Sequence, residues 1–325
     1  MKTVIVGLER IEEAAELIRK GQVVAFPTET VYGLGGDALN KNSIKKIFEA
    51  KKRPQDNPLI VHIAKKEDVN KYAYNNELAD KVFEAFAPGP VTVVLKKRKI
   101  IDNSITAGLD TVGIRIPAHY IARQLIEKSG RPIAAPSANT SSRISPTRAV
   151  DVYDDLQGRI PMILDGGDCE VGIESTVLDL SGDIPIVLRP GSVTISMLLQ
   201  VLPKVRNYTG RVAIAHAPGM KYKHYAPVVD CVLARSPQSA QREYDRVLKE
   251  GKKAVIIGKN NFVNDKQRFF IELGTTPEEV AKNLYASMRK AEKEFDLIII
   301  EEFSDKELEY SIMNRLMKST QGVII

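Results

Sequence analysis

Gln22-Val23-Val24-Ala25-Phe26-Pro27-Thr28-Glu29-Thr30-Val31-Tyr32-Gly33-Leu34-Gly35 begins as a short apolar run that reads as a buried strand. Pro27 closes the run, and the following residues are rich in hydroxyls at a place where the chain must turn. By composition alone, this second half reads as a polar loop whose glycines serve tight geometry. Just upstream, Glu9 to Lys20 puts Ile11, Ala14, Ala15 and Ile18 on one helical face, and Gly21 supplies a stop. Just downstream, Ser43 to Lys51 repeats the helical pattern with Ile44, Ile47 and Phe48, and Pro54 ends it.

The same alternation continues. Strands are expected at Leu59–Ile63, Val91–Leu95, Val112–Ile116, Pro132–Ala135, Ile160–Leu164, Thr176–Leu180 and Ile184–Leu188. Helices are expected at Leu78–Phe86, His119–Lys128 and Thr147–Leu156, with the Pro88-Gly89-Pro90 turn ending the first. Strands that alternate with helices predict a mixed α/β sheet covered by helices, and the neighbouring strands near 176–188 predict an antiparallel pair. Around Tyr208 to Val229 the periodicity stops. Val212–Ala215 reads as a short strand, and Ala217 to Pro227 reads as an extended linker carrying Lys221, Tyr222, Lys223, His224 and Tyr225. Beyond it, strands at Cys231–Ala234, Lys253–Ile257, Phe269–Leu273 and Leu297–Ile300 alternate with helices at Pro237–Glu250, Pro277–Phe295 and Asp305–Lys318. Such βα units predict a small open parallel sheet. The expected division is 1–207, a linker or lid 208–229, and a C-terminal domain 230–325.

Bulk properties narrow the function. At 325 residues with 43% hydrophobic and 27% charged content, the chain fits an ordinary protein of two cores. No apolar stretch approaches the roughly 18–20 residues that cross a bilayer, and no secretory leader is expected. Cys169 and Cys231 stand far apart and outside any C-x-x-C, which argues against a disulfide framework or a Cys-based zinc site. The cytoplasm is the expected location. The net charge of +6 is spread evenly, with 28 Lys+Arg against 25 Asp+Glu through Gly210 and 19 against 16 after it. No basic arm or tail announces nucleic-acid binding. A Walker phosphate loop, H-E-x-x-H, G-x-S-x-G and an EF-hand are all missing from the sequence. Gly33 to Ala38 only loosely resembles a dinucleotide fingerprint, because Pro27 to Tyr32 separate it from the strand.

Three further segments carry chemistry. Lys51-Lys52-Arg53-Pro54-Gln55-Asp56-Asn57-Pro58 sits at a helix end and is stiffened by two prolines. Cations there are favourable for ordinary helix-dipole reasons, but Lys51 and Arg53 on rigid backbone also form a polyphosphate clamp. Arg115 lies inside the otherwise apolar Val112–Ile116 and needs a partner, either a substrate carboxylate or a structural Asp or Glu. Pro132 to Thr147 is a strand running into a hydroxyl-rich loop before a helix, a natural anion cradle.

Taken together, Lys51-x-Arg53, Ser137-x-Asn139 and the P-T-E-T-V-Y-G-L-G segment resemble the threonylcarbamoyl-AMP synthase family, built on the YrdC-type domain. Gly172-Ile173-Glu174-Ser175-Thr176-Val177, Leu188-Arg189-Pro190-Gly191 and the P-G-M-K-Y-K-H-Y-A-P linker fit the longer, two-domain members. The similarity is strong over about residues 5 to 228 and architectural beyond. It implies a YrdC-type twisted mixed sheet around a concave basic cavity, followed by a small Rossmann-like open parallel domain. It also implies a nucleotidyltransferase that condenses L-threonine, bicarbonate or CO2, and ATP to threonylcarbamoyl-adenylate and pyrophosphate. Lys51 and Arg53 would be catalytic, and with Asn57, Thr111, Ser137, Asn139, Ser145, Arg189 and Tyr225 would hold ATP. Thr30, His62, Arg115, Ala135 (through its backbone) and Ser175 would hold threonine, and Tyr225 would close the pocket. For His62, within Leu59 to Ile63, a satisfied core histidine is the rival reading.

The resemblance further implies Mg2+ held mainly by the ATP phosphates, and a product handed to the transferase complex that modifies tRNA beside the anticodon. Direct tRNA contact is not required by it. Two competing readings remain at this level. One is an RNA-binding module gripping phosphates without chemistry. The other is carbamoyl transfer in hydrogenase maturation, whose proteins carry zinc-finger and acylphosphatase-like regions that this chain has no room for.

Overall fold

The computed structural model describes residues 1–209, 225–263 and 269–325. The expected strand at 212–215 and the linker residues Tyr222 and His224 lie outside these. The described residues form two units, one of 1–141, 146–170 and 174–209, the other of 142–145, 171–173, 225–263 and 269–325.

The first unit holds eleven strands: β1 (Val4–Val6), β2 (Val24–Phe26), β3 (Gly33–Asp37), β4 (Ile60–His62), β5 (Val91–Lys96), β6 (Thr111–Arg115), β7 (Ile133–Ala134), β8 (Met162–Leu164), β9 (Thr176–Asp179), β10 (Ile186–Arg189) and β11 (Arg206–Asn207). They form one mixed sheet in the order β1-β8-β2-β3-β7-β4-β6-β5-β9-β10-β11. The antiparallel pair expected near 176–188 is β9–β10.

Alternation of side chains explains the layers. One face of the sheet, with Val61, Val93, Ile114 and Leu178, packs with Ile44, Ile47 and Phe48 of the helix Lys41–Lys51 and with Val82 and Phe83 of Glu77–Phe86. On the other face, Val24, Phe26, Ile133 and Met162 are covered by the helices Ile11–Arg19 and Tyr120–Ser129. A nine-residue helix is marginal alone, and the burial of Ile11, Ala14, Ala15 and Ile18 holds Ile11–Arg19 in place. Each fully buried isoleucine is worth roughly 1.5–3 kcal/mol. Along β4, β6 and β5 this second face carries a groove.

Gly33 to Asp37 corrects the loop expected there. It is a strand, paired antiparallel to β2 and β7. A Cβ on Gly35 would stand 2.6 Å from both Phe26 and Ile133 side-chain atoms, so this glycine serves close packing within a sheet rather than a turn.

In the second unit, β12 (Asp230–Ala234), β13 (Ala254–Gly258), β14 (Phe270–Glu272) and β15 (Leu297–Glu301) form a parallel sheet in the order β12-β15-β13-β14. Its helices Pro237–Lys249 and Pro277–Ala291 each begin with proline behind a capping box, Ser236 with Ser239 and Thr276 with Glu279. The mixed sheet and the small parallel sheet are the α/β architectures expected. Among the described residues no helix is long and apolar enough to cross a membrane.

Candidate active site

Strand register sets the site. His62 on β4 pairs with Arg115 on β6, and Arg115 pairs with Thr92 on β5, so three polar side chains stand in a row on one face. All three are buried. Two residues along, the same face holds Ile60 and Gly113, which with Pro58, Thr111 and Val177 line a narrow groove. A Cβ on Gly113 would meet Thr92 Cγ2 at 3.1 Å, so the missing side chain keeps this groove open.

Arg115 meets a structural carboxylate, one of the two partners that its sequence setting allowed. Its Nη2 donates to Glu29 Oε1 at 2.6 Å and to Thr30 Oγ1 at 2.9 Å. Glu29 Oε2 accepts from the amide of Ala118 at 3.1 Å. Arg115 Nε is buried and has no partner among the described residues. Beside it, His62 Nδ1 is also buried without a hydrogen bond, and the ring meets Phe26 edge-on at 6.2 Å. Burial, and then the neighbouring Arg115 charge, push the His62 pKa down to about 3, so the imidazole is neutral. Thr30 is fixed by Thr28, whose hydroxyl donates to the Val31 carbonyl at 2.6 Å and lies 2.8 Å from Thr30 Oγ1.

Lys51 stands at the end of its helix, where Lys52 adopts the left-handed conformation (φ 51°) and turns the chain back. Its ammonium is buried and donates to the carbonyls of Ser137 and Asn139. The lysine therefore fixes the Ser137–Asn139 loop as well as supplying charge. Ser137 Oγ donates to Asn139 Oδ1 at 2.5 Å. Arg53 is half-buried and directs Nη2 to the Pro58 carbonyl at 3.1 Å and Nε to that of Asn57 at 3.4 Å. Asn57 is buried with Oδ1 unpartnered among the described residues. The helix after this loop, Ala149–Leu156, has its first turn supplied with Asp151, ion-paired to Arg148 at 2.9 Å. The negative charge expected at that helix end is thus furnished by the chain itself.

Arg189 donates to the Ser175 carbonyl from Nε at 3.2 Å and Nη2 at 2.9 Å, and Nη2 also reaches Ser175 Oγ at 3.2 Å. Ser175 Oγ lies 2.8 Å from Thr92 Oγ1. Ala135 spends its amide on the Ile60 carbonyl at 2.9 Å, leaving its own carbonyl as the backbone group it offers. Two expected site residues group with the second unit. Ser145 is buried there, and Tyr225 stacks on Tyr285 at 5.7 Å while its carbonyl accepts from Ser319 Oγ at 2.8 Å.

Neither cysteine is a nucleophile. Burial raises the pKa of Cys169 and pushes that of Cys231 up to about 12. Two polar residues of this face carried no role in the sequence reading. Glu29 is the one acid in the Pro27–Gly35 segment, and Thr92 is the one polar residue within Val91–Leu95. Both signals were visible, but Thr92 meets Arg115 through strand register and Glu29 meets it from a loop, and neither contact is local in sequence.

Residues 16–191 match the family profile described as "Telomere recombination", and residues 193–320 match that of the "Threonylcarbamoyl-AMP synthase, C-terminal domain". The chain belongs to the two-domain threonylcarbamoyl-AMP synthase family. Within this family, the threonylcarbamoyl-AMP synthase of Pyrococcus abyssi is 44% identical over 99% of both chains. That of Bacillus subtilis is 42% identical, over 97% of this chain and 94% of its own. The crystal structure of P. abyssi Sua5 complexed with L-threonine is 43% identical and superposes with a TM-score of 0.91, covering 100% of this chain and 98% of that one.

Proposed function

We propose that the chain is an ATP-dependent nucleotidyltransferase making L-threonylcarbamoyl-adenylate. The observation that carries this reading is the buried Arg115, with Nε unpartnered, beside a neutral His62. An amino-acid carboxylate satisfies such a guanidinium, and a neutral imidazole adds no positive charge to oppose a nearby amine. The threonine-bound relative supports the same substrate.

The reaction asks for no enzyme nucleophile. The threonine amine adds to CO2 drawn from bicarbonate, losing a proton and forming a carbamate. A carbamate oxygen then attacks the α-phosphorus of ATP, and the bond to the β-phosphate oxygen breaks as pyrophosphate leaves. Holding the two anions together and stabilising the departing charge is the protein's task. Lys51 and Arg53 would meet the triphosphate, with Ser137 and Asn139 held by Lys51. Arg189 would serve the same end while tying Ser175 to the threonine side. Thr111, Asn57, Ser145 and Tyr225 complete the proposed nucleotide set, and Thr30 and the Ala135 carbonyl the threonine set. Mg2+, when bound, neutralises phosphate charge. It is assigned mainly to the ATP phosphates, whose oxygens suit it as ligands. The product is an activated carbamoyl donor for the enzyme that modifies tRNA.

Incubation with ATP, Mg2+, threonine and labelled bicarbonate, followed by mass spectrometry, should show the labelled adenylate and one pyrophosphate for each. Pyrophosphate release that ignores threonine would overturn the reading.

A further inference from the structure

We infer that Glu29 is a positioning residue for substrate carboxylate recognition. It fixes one side of the Arg115 guanidinium through Nη2, so that the N–H groups at Nε and Nη1 are left for the ligand. This rests on the threonine-binding reading of Arg115.

Both hydrogens of Arg115 Nη2 are committed, one to Glu29 Oε1 and one to Thr30 Oγ1. Glu29 is itself held from the other side by the Ala118 amide, and it is 5% exposed. An arginine side chain has much rotamer freedom to lose, and this brace removes it before a ligand arrives. Nε has no partner among the described residues, although its atom is buried. A buried guanidinium N–H without an acceptor is costly and is kept where something supplies one. The brace also balances charge. With His62 neutral, Glu29 supplies the compensating carboxylate that keeps Arg115 tolerable inside the sheet between substrate visits. Recognition then depends on direction more than on net charge, because the positive charge of Arg115 is already half answered. Thr30 is tied into the same brace, so the loop that carries Glu29 also presents a threonine-site hydroxyl in fixed geometry.

Two variants of the full chain test this. In Glu29→Gln the amide offers one acceptor and one donor where two N–H groups need acceptors, so one bond to Arg115 or Ala118 must fail. Glu29→Asp keeps both acceptors on a shorter arm. The threonine KM should rise about tenfold in Glu29→Gln, the loss of roughly one charge-assisted bond, with the ATP KM within about twofold of wild type. Inhibition by threoninol, which lacks the carboxylate, should change little, so discrimination between the two falls by the same factor. Glu29→Asp should lie between and remains informative if the Gln variant gives no folded protein. A merely structural role would lower kcat, or raise both KM values, without touching the discrimination; that result in both variants overturns the inference. Arg115→Lys separates the two levels. If it leaves the threonine KM unmoved, the parent reading of Arg115 fails. If it raises threonine KM while both Glu29 variants behave as wild type, only the role of Glu29 fails.

Discussion

Lys51 shows how much one side chain does at this site. It donates to two carbonyls of the Ser137–Asn139 loop from a buried position. Lys51→Met keeps the length and removes the donor, so the loop carbonyls lose a charged partner worth about 1.5–3 kcal/mol per bond. Thermal denaturation should show that loss, and pyrophosphate release should fall by at least about a hundredfold, the scale of deleting an anion-stabilising donor. Turnover close to wild type would remove the lysine from the chemistry. His62 gives a prediction in pH. Its pKa falls from an ordinary 6.5 to about 3 on folding, so the unfolded chain binds the proton more tightly. The stabilisation is therefore present above pH 6.5 and is lost as pH falls from 6.5 towards 3. The stability difference between wild type and His62→Asn, measured by denaturant melts, should shrink across that window. A difference that stays constant from pH 7.5 to 4.5 contradicts the buried neutral imidazole.

Elements place these residues, and the elements were the legible part. The 3.6-residue pattern of Ile44, Ile47 and Phe48 located the helix that ends at Lys51, and short apolar runs located the strands bearing His62 and Arg115. What period alone cannot show is pairing. Arg115 and Glu29 are 86 residues apart, and Glu29 lies in a loop, so no pattern in either segment shows that they meet. The strand Gly33–Asp37 was missed because its glycines carry no side chains, so there was no hydrophobic alternation to read. Helix capping separates scaffold from chemistry. Asn40 accepts from the amides of Asn42 and Ser43 at the far end of the helix from Lys51. Asn40→Ala should cost about 1 kcal/mol of stability by chemical denaturation and leave the KM for both substrates unchanged. A raised ATP KM would show that the clamp senses the whole helix rather than its C-terminal turn.

At the scale of the molecule, the second unit takes in two short segments, 142–145 and 171–173, that precede it by many residues. Sequence patterns are local and do not reveal such a join. Within that unit Arg143 donates to Glu292 Oε1, Glu292 Oε2 accepts from the Val228 amide at 2.9 Å, and Arg289 donates to the Ile144 carbonyl. Gly172 offers a test with a built-in control, because Gly172 and Gly167 share a φ of +80°. A Cβ on Gly167 would meet nothing within 4 Å, whereas one on Gly172 would stand 2.3 Å from the Ala281 carbonyl oxygen and 2.5 Å from Lys282 Cα. Both substitutions to alanine carry the left-handed backbone cost, roughly 1–2 kcal/mol. Only Gly172→Ala adds an overlap with a helix backbone that has no flexible end to swing aside. It should therefore be the more destabilising of the two by at least about 1–2 kcal/mol, a Tm several degrees below that of Gly167→Ala. Equal melting temperatures would mean that residue 172 does not pack against the helix Pro277–Ala291, and the segment 171–173 would then not belong to the second unit.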